Sequence, residues 1–599
     1  MKSLPILVSW VYFVVMEQGT KAMHVAINTS RRTNKAGVEV TYQSALIRRT
    51  YRQDGKVKHE TLGNISYLPQ HAIEDLQASL KGKTMVEAET RMQILRSLPH
   101  GHIDAIATMA HGLGFESLLG PACRNRDLVM ALLTARICKP TSKLATLNWF
   151  TDTTLGTDLG PVSSDDLYAA MDWLLEQQPR IEKQLARTHL GPEHNPEGLA
   201  LFDLSSSWVT GTHNPLAKFG YSRDKKRGCE QIEYGMLATR AGLPIAVRVF
   251  PGNTADPAAF IHIAEEIHAL SGVQDLAMVG DRGMITNARI EDLKKDTDFS
   301  WVTALRNTDI QKLAEDNGPL QMSLFDEQNL AEISHPKYPG ERLIACRNPA
   351  LAANRAHKRT ALLEATEEKL ETIKKAVEAG RLKDAGKIGV KVGRIVGTYN
   401  IAKHFNLTIT DETFAYARNT ESIKREADLD GIYVVRTNLP NDAMDTPEAV
   451  RTYKSLVNVE KIFKTLKSRD LGIRPIRHYT ENRTRAHVFL CMLAAHLTWH
   501  LRTAWAPLTF TDENRPVPEE PVAKVHRSTA AARKASTRKL DDGTAATSYQ
   551  DLLTHLGTRT RNTTSVPGTE KTFELLSMPT PRQQKAMDLI DHHARNHRK

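Results

Sequence analysis

The spacing of apolar positions changes character several times along the 599-residue chain. From Met23 to about Pro69 polar and apolar residues alternate (VEVTYQSALIRRTY, then KVKHETLGNISYLP) on either side of Asp54-Gly55, a pattern that predicts a β-hairpin. From about 70 to 195 the runs AIEDLQASL, IDAIATMAHGLGFESLL and RDLVMALLTARI repeat apolar residues every three or four positions and predict helices. Ser164 opens a further helix, Asp165 to Gln178, with acids in its first turn where the helix dipole favours them. At Gly198 the runs shorten to strand length: GLALFDLSSSW, CEQIEYGMLAT, LPIAVRVFPGN, DLAMVGDRG and FSWVTALR. One amphipathic helix, Pro257 to Leu270, separates the third from the fourth. Strands joined by tight turns, then a helix, then another strand, predict a mixed sheet with helices on its faces, an α/β fold.

Residues 308 to 445 interrupt this pattern with a charged helix, Asn354 to Ala379, and the strand-like runs KIGVKVGRIVGTY, FNLTITD and GIYVVRTNL. A helix from about Pro447 to Ser468 and an apolar one from Arg483 to Leu501 follow. Beyond Pro507 the composition turns to Pro, Thr, Ala and Arg, and HRSTAAARKASTRK reads as a flexible basic linker. A last helix begins near Pro581. The expected divisions are a leader (1–22), a hairpin region (23–69), a helical region (70–195), two core segments (196–307 and 446–506) flanking an insertion (308–445), and a basic, partly flexible tail (507–599).

Composition narrows the function. Five scattered cysteines, none in a CxxC pair, exclude a disulfide scaffold and a cysteine zinc site and fit a reducing cytoplasm. The 80 Lys and Arg against 69 Asp and Glu give a net charge of +11, which points to a polyanionic partner through counterion release. The apolar run Leu4 to Met16 is too short to span a bilayer, lacks a cleavage site, and reads as a stretch upstream of a true start at Met23. No other run approaches membrane-spanning length.

Three acids stand out. Asp203 ends the apolar run Gly198–Phe202, and Asp281 ends Leu276–Gly280. An acid at the end of a buried strand is costly unless paired or metal-bound; either one alone reads better as a turn or cap residue, and it is the matching pair that turns the reading toward a site. In Tyr453-Lys-Ser-Leu456-Val-Asn-Val-Glu460, continuing to Lys464 and Lys467, seven-residue steps put Tyr453, Glu460 and Lys467 on one helix face with Lys464 beside it. Such a face offers a carboxylate, an ammonium and an aromatic hydroxyl together; a plain solvated face is the other reading.

These motifs resemble a DDE transposase of a bacterial insertion sequence, from the superfamily with the signature Tyr-x2-Arg-x3-Glu-x6-Lys. Tyr453, Glu460 and Lys467 match the spacing, while Leu456 stands at the arginine position, which leaves one DNA-phosphate contact to Lys454 or Lys464. FDLSSSW, LAKFGYSRDKKRG, QIEYGML, LPIAVRVFPGNTAD and VGDRG resemble the family's first core strands, and the segments at 430–439 and 473–497 resemble those flanking its glutamate helix. The resemblance implies a ribonuclease-H-like mixed-sheet core interrupted by a β-rich insertion, with Asp203, Asp281 and Glu460 as catalytic and metal-binding residues. Two Mg²⁺ ions per site are implied, with Mn²⁺ as a substitute. It further implies an enzyme that cleaves the ends of an insertion sequence with water and joins the freed 3′ hydroxyl to target DNA.

Partners would be double-stranded DNA, both the terminal inverted repeats and the target, and a second copy of the chain, with a bacterial cytoplasmic, nucleoid-associated location. Tyr453, Lys464, Lys467, Arg282, Lys225, Lys226 and Arg227 are the candidate DNA contacts, and the N-terminal hairpin and helices the candidate readers of the repeats. The competing functions are a nuclease of the same fold without strand transfer and an inactive DNA-binding relic. No P-loop or HExxH motif occurs. His592, His593 and His597 read as part of a frayed basic tail rather than a metal site.

Overall fold

The computed structural model describes residues 23–33, 39–53, 55–82, 92–224, 226–254, 276–285, 290, 300–315, 318–325, 328–566 and 571–597. The expected leader, the helix Pro257–Leu270 and Lys225 lie outside them. The chain divides into two compact units, one of residues 1–97 with 562–575, the other of 98–561 with 576–599.

In the first unit the hairpin gains a strand. β1 (Met23–Thr33) pairs antiparallel with β2 (Glu39–Gln53), and β2 pairs with β3 (Lys56–Asn64) across a turn in which Gly55 takes a positive φ of 74°. Val25, Ala45, Ile65 and Ile73 form its small core against the helix Gln70–Leu80. A separate three-stranded sheet joins β4 (Gln93–Pro99) to β15 (Thr560–Ser565) and β16 (Thr572–Leu576).

The second unit is built on an eight-stranded mixed sheet of order β10-β11-β14-β9-β8-β5-β6-β7. β5 (Leu199–Trp208), β6 (Gln231–Thr239) and β7 (Pro244–Pro251) form an antiparallel meander. β8 (Ala277–Gly280) and β9 (Ser300–Ala304) then add in parallel on the other side of β5. That order is the ribonuclease-H-like core. β10 (Leu330–Ile333), β11 (Arg342–Arg347) and β14 (Ile432–Thr437) extend it with antiparallel strands drawn from the expected insertion. The rest of the insertion stands on its own core: the helices Pro349–Glu378 and Ala385–Thr398 and the hairpin of β12 (Phe405–Ile409) and β13 (Phe414–Arg418).

The run KIGVKVGRIVGTY is a helix, not a strand. Ile388, Val392 and Val396 recur every four residues and are its buried positions, and the Asp384 side chain accepts the Lys387 N–H at its N-terminus. The supposed linker at 526–539 also folds: Ser528 caps a helix, Thr529–Thr537, whose Lys534 is buried and bonded to Glu513 and to the carbonyls of Ala506 and Thr511. The helices Arg124–Cys138 and Ser164–Leu190 pack on each other and on the long helix Glu481–Ala504, sharing one hydrophobic core with the sheet. Among the described residues no helix is long and apolar enough to cross a membrane.

Candidate active site

β5 runs past Asp203 to Trp208, so this acid sits mid-strand rather than at a strand end. Ser205, Ser206 and Ser207 carry the strand on, buried. The Ser207 hydroxyl lies 3.0 Å from that of Tyr234, and the Ser206 hydroxyl accepts the Arg223 N–H. The parallel neighbour β8 stops earlier. Phe202 pairs with Gly280, and Asp203 and Asp281 are the next residues of the two segments, at the point where β8 leaves the sheet. Both therefore sit at the carboxyl end of the parallel seam, where open α/β sheets place their ligands.

Glu460 comes from the helix Val457–Lys467, which packs on β5 and on the helix Glu481–Ala504. Val459, Ile462, Phe463 and Leu466 form its buried face, with Phe463 edge-on to Tyr234 at 5.8 Å, and Glu460 and Lys464 are on the exposed side. The expected single helix Pro447–Ser468 is broken at Ser455-Leu456 into Thr446–Lys454 and Val457–Lys467. Leu456, half-buried, packs against the core at this break.

Electrostatics tie the three acids together. Burial pushes the Asp203 carboxyl up to about 7, and the nearby Asp281 and Glu460 charges push the same way; the Leu204 N–H, 2.7 Å away, and the Arg223 guanidinium pull it back. The Tyr453 hydroxyl donates to Asp281 Oδ1 at 3.4 Å, and burial followed by the Asp281 charge holds its proton on. A donor set of carboxylate oxygens with crowded like charge fits a hard divalent cation, not a metal that prefers imidazole or thiolate.

The cationic candidates divide. Arg282, beside Asp281, is exposed and donates to Asn307 at 3.0 Å. Lys226 is exposed with its ammonium 5.0 Å from the Trp208 ring centre, and Arg227 and Lys464 are exposed. Lys467 is engaged: its ammonium donates to the buried Asp224 at 2.8 Å, and Arg474 binds the same oxygen. Lys454 donates to the carbonyls of Pro521 and Ala523. Sequence reasoning passed over Arg223 and Asp224, which lie in the same GYSRDKKRG loop as the basic residues it did single out. The signal was a lone acid among cations, as a buried ion pair requires.

Away from this site, ring nitrogens of His500, His593 and His597 lie within 4.8 Å of one another and could hold a metal ion. These histidines are thus not part of a frayed tail: the helix Pro581–His597 packs on the helices Gly101–Gly112 and Glu481–Ala504, with His593 buried.

Two family matches accord with this geometry. Residues 205–497 match the transposase DDE domain, a stretch that begins two residues past Asp203 and takes in Asp281 and Glu460. Residues 27–91 match the N-terminal domain of IS1634 family transposases. Comparison with curated proteins finds no match. One polypeptide thus carries an IS1634-type N-terminal domain followed by a transposase DDE domain, the make-up of a bacterial insertion-sequence transposase.

Proposed function

We propose that the protein is an active transposase that binds the ends of an insertion sequence, hydrolyses the phosphodiester at each end, and joins the 3′ hydroxyl to target DNA. The observation that carries this reading is the meeting of Asp203 and Asp281 across the β5–β8 seam with Glu460 close enough for its charge to raise Asp203. These three carboxylates would hold two Mg²⁺ ions. When bound, such ions activate an attacking oxygen and offset charge at the scissile phosphate.

The protein's own groups do the rest. Tyr453, with its hydroxyl on Asp281, fixes the direction of that carboxylate. Arg282, Lys225, Lys226, Arg227 and Lys464 take the DNA backbone phosphates, in keeping with the chain's basic balance. Lys467, held by Asp224, supports the loop that carries Lys225, Lys226 and Arg227. Two element ends must be brought together, so a homodimer on DNA is the working assembly.

The test is cleavage of a labelled duplex carrying the element end in Mg²⁺, comparing wild type with Glu460→Ala. Cutting at the element boundary that vanishes in the variant supports the proposal. Cuts scattered without regard to that boundary would favour a general nuclease, and binding without cutting under any divalent metal would favour a relic.

A further inference from the structure

The described residues hold a second concentration of ligand-type side chains, remote in sequence from the acids. His496 and His500 lie one turn apart on the helix Glu481–Ala504, His593 and His597 one turn apart on the helix Pro581–His597, and His189 at the end of the helix Ser164–Leu190. Their rings form a continuous chain: His189 to His496 at 5.4 Å, His496 to His500 at 5.1 Å, and His500 to His593 and to His597 at 5.2 Å each. His593 and His597 are 4.1 Å apart, centre to centre.

Three details distinguish this cluster from ordinary packed histidines. The Nδ1 of His500 faces the Nε2 of His593 at 2.9 Å, wholly inside the protein. The Nε2 of His500 is buried without a hydrogen-bond partner, an expensive arrangement for a polar atom in a residue 1% exposed. The Nδ1 of His597 donates to the His593 carbonyl at 2.9 Å, which leaves its Nε2 with a free lone pair. A backbone-bonded imidazole with its other nitrogen open is the arrangement that orients metal-binding histidines.

The geometry points to a structural metal site at His500, His593 and His597 that takes one borderline divalent cation of the Zn²⁺ type and pins the last helix to the helix Glu481–Ala504. Each residue offers one ring nitrogen, and these lie within 4.8 Å of one another. Tetrahedral bonds of about 2.0–2.1 Å place ligand nitrogens roughly 3.3 Å apart, so the His500–His593 pair needs to open by only ~0.4 Å. One of the two facing nitrogens now carries the bridging proton. Moving that proton to the same ring's other nitrogen frees both lone pairs, so an ion enters without net proton release from this pair. The all-imidazole donor set selects against Mg²⁺, which prefers oxygen, so this site and the carboxylate cluster discriminate between metals.

The test is a Co²⁺ titration of the untagged full-length protein after exhaustive chelation, followed by visible absorption, with Zn²⁺ as competitor. The expected result is one Co²⁺ per chain with tetrahedral-type absorption in wild type and in Glu460→Gln, displaced by Zn²⁺. In His597→Ala, at an exposed position, the affinity should fall by more than the ~10–100-fold typical of losing an outer-shell partner. Chelation should lower the melting temperature of wild type and leave that of His597→Ala unmoved. Identical Co²⁺ titrations of wild type and His597→Ala, or no binding by wild type, would overturn the assignment. His593→Ala is a second variant for the same measurement, and His597→Ala keeps it decisive if that protein does not fold.

Discussion

The raised Asp203 carboxyl makes a stability measurement into a probe of the acidic cluster. Its value is about 7 in the folded protein against an ordinary 3.8, so between these pH values the folded state holds a proton that the unfolded state has lost. Stability therefore falls as pH climbs from about 4 to about 7, and the whole penalty stands above that range. At ~1.4 kcal/mol per pH unit the penalty at pH 8 is at most about 4 kcal/mol, and partial exposure of the side chain trims it to about 2–4 kcal/mol. Asp203→Asn removes the charge and should make the metal-free protein more stable than wild type by that amount at pH 8, with the gain shrinking to about 1–2 kcal/mol at pH 5. Chemical denaturation in EDTA at the two pH values measures it. Adding Mg²⁺ should stabilise wild type more than the variant, because an ion bound only to the folded state shifts the equilibrium by mass action. Equal stability of the two proteins at pH 8, or a gain that persists undiminished at pH 5, would refute burial and charge crowding as the cause.

Further expectations concern neighbouring features. Lys467→Met leaves the buried Asp224 with Arg474 alone and should cost about 3 kcal/mol of stability, more than half of it recovered by adding Asp224→Asn. A Lys467→Met protein of wild-type stability but weakened DNA affinity would instead return this lysine to direct phosphate binding. Gly389→Ala and Gly393→Ala sit in the interior of the helix Ala385–Thr398, where an added methyl meets nothing within 4 Å, and each should stabilise by about 0.5–1 kcal/mol in urea denaturation. Loss of stability in both would argue against the helix. Arg248→Met strands the Glu182 carboxylate, which is fully buried and also takes the Val247 N–H at 3.0 Å; a loss of about 3–5 kcal/mol should follow, read from the denaturation midpoint.

What was legible in the sequence depended on range. Asp203, Asp281 and the helix of Glu460 were visible because each is a local oddity: an acid closing an apolar run, or a stripe at seven-residue spacing. The full extent of β5 was legible only in part: GLALFDLSSSW has strand length, but its apolar run stops at Phe202, and nothing in the pattern marks Ser205–Ser207 as buried. Only their burial and their partners, Tyr234 and the Arg223 N–H, make them strand. KIGVKVGRIVGTY misled because Val and Ile favour strands locally, while tertiary burial of Ile388, Val392 and Val396 decides for the helix. The break at Ser455-Leu456 leaves no Gly or Pro to announce it. Half of the histidine cluster stood in view as His593 and His597, but their partner did not: His500 and His593 are 93 residues apart, and no pattern in a window brings them together.

The order in which the central sheet is assembled has a consequence in time. Asp203 and Asp281 stand on the first strands to be made, but β9 gains its second neighbour only when β14 arrives at Ile432–Thr437, and Glu460 follows later still. From Asp281 to Glu460 is 460 − 281 = 179 residues, which a ribosome adds in roughly 10–40 s at ~5–20 residues per second. For that interval the nascent chain already carries its IS1634-type N-terminal domain and two of the three acids, but not the third. On the proposed function, a growing chain would be able to engage DNA before it could cut it, and the long-range closure of the sheet would act as a built-in delay on cleavage.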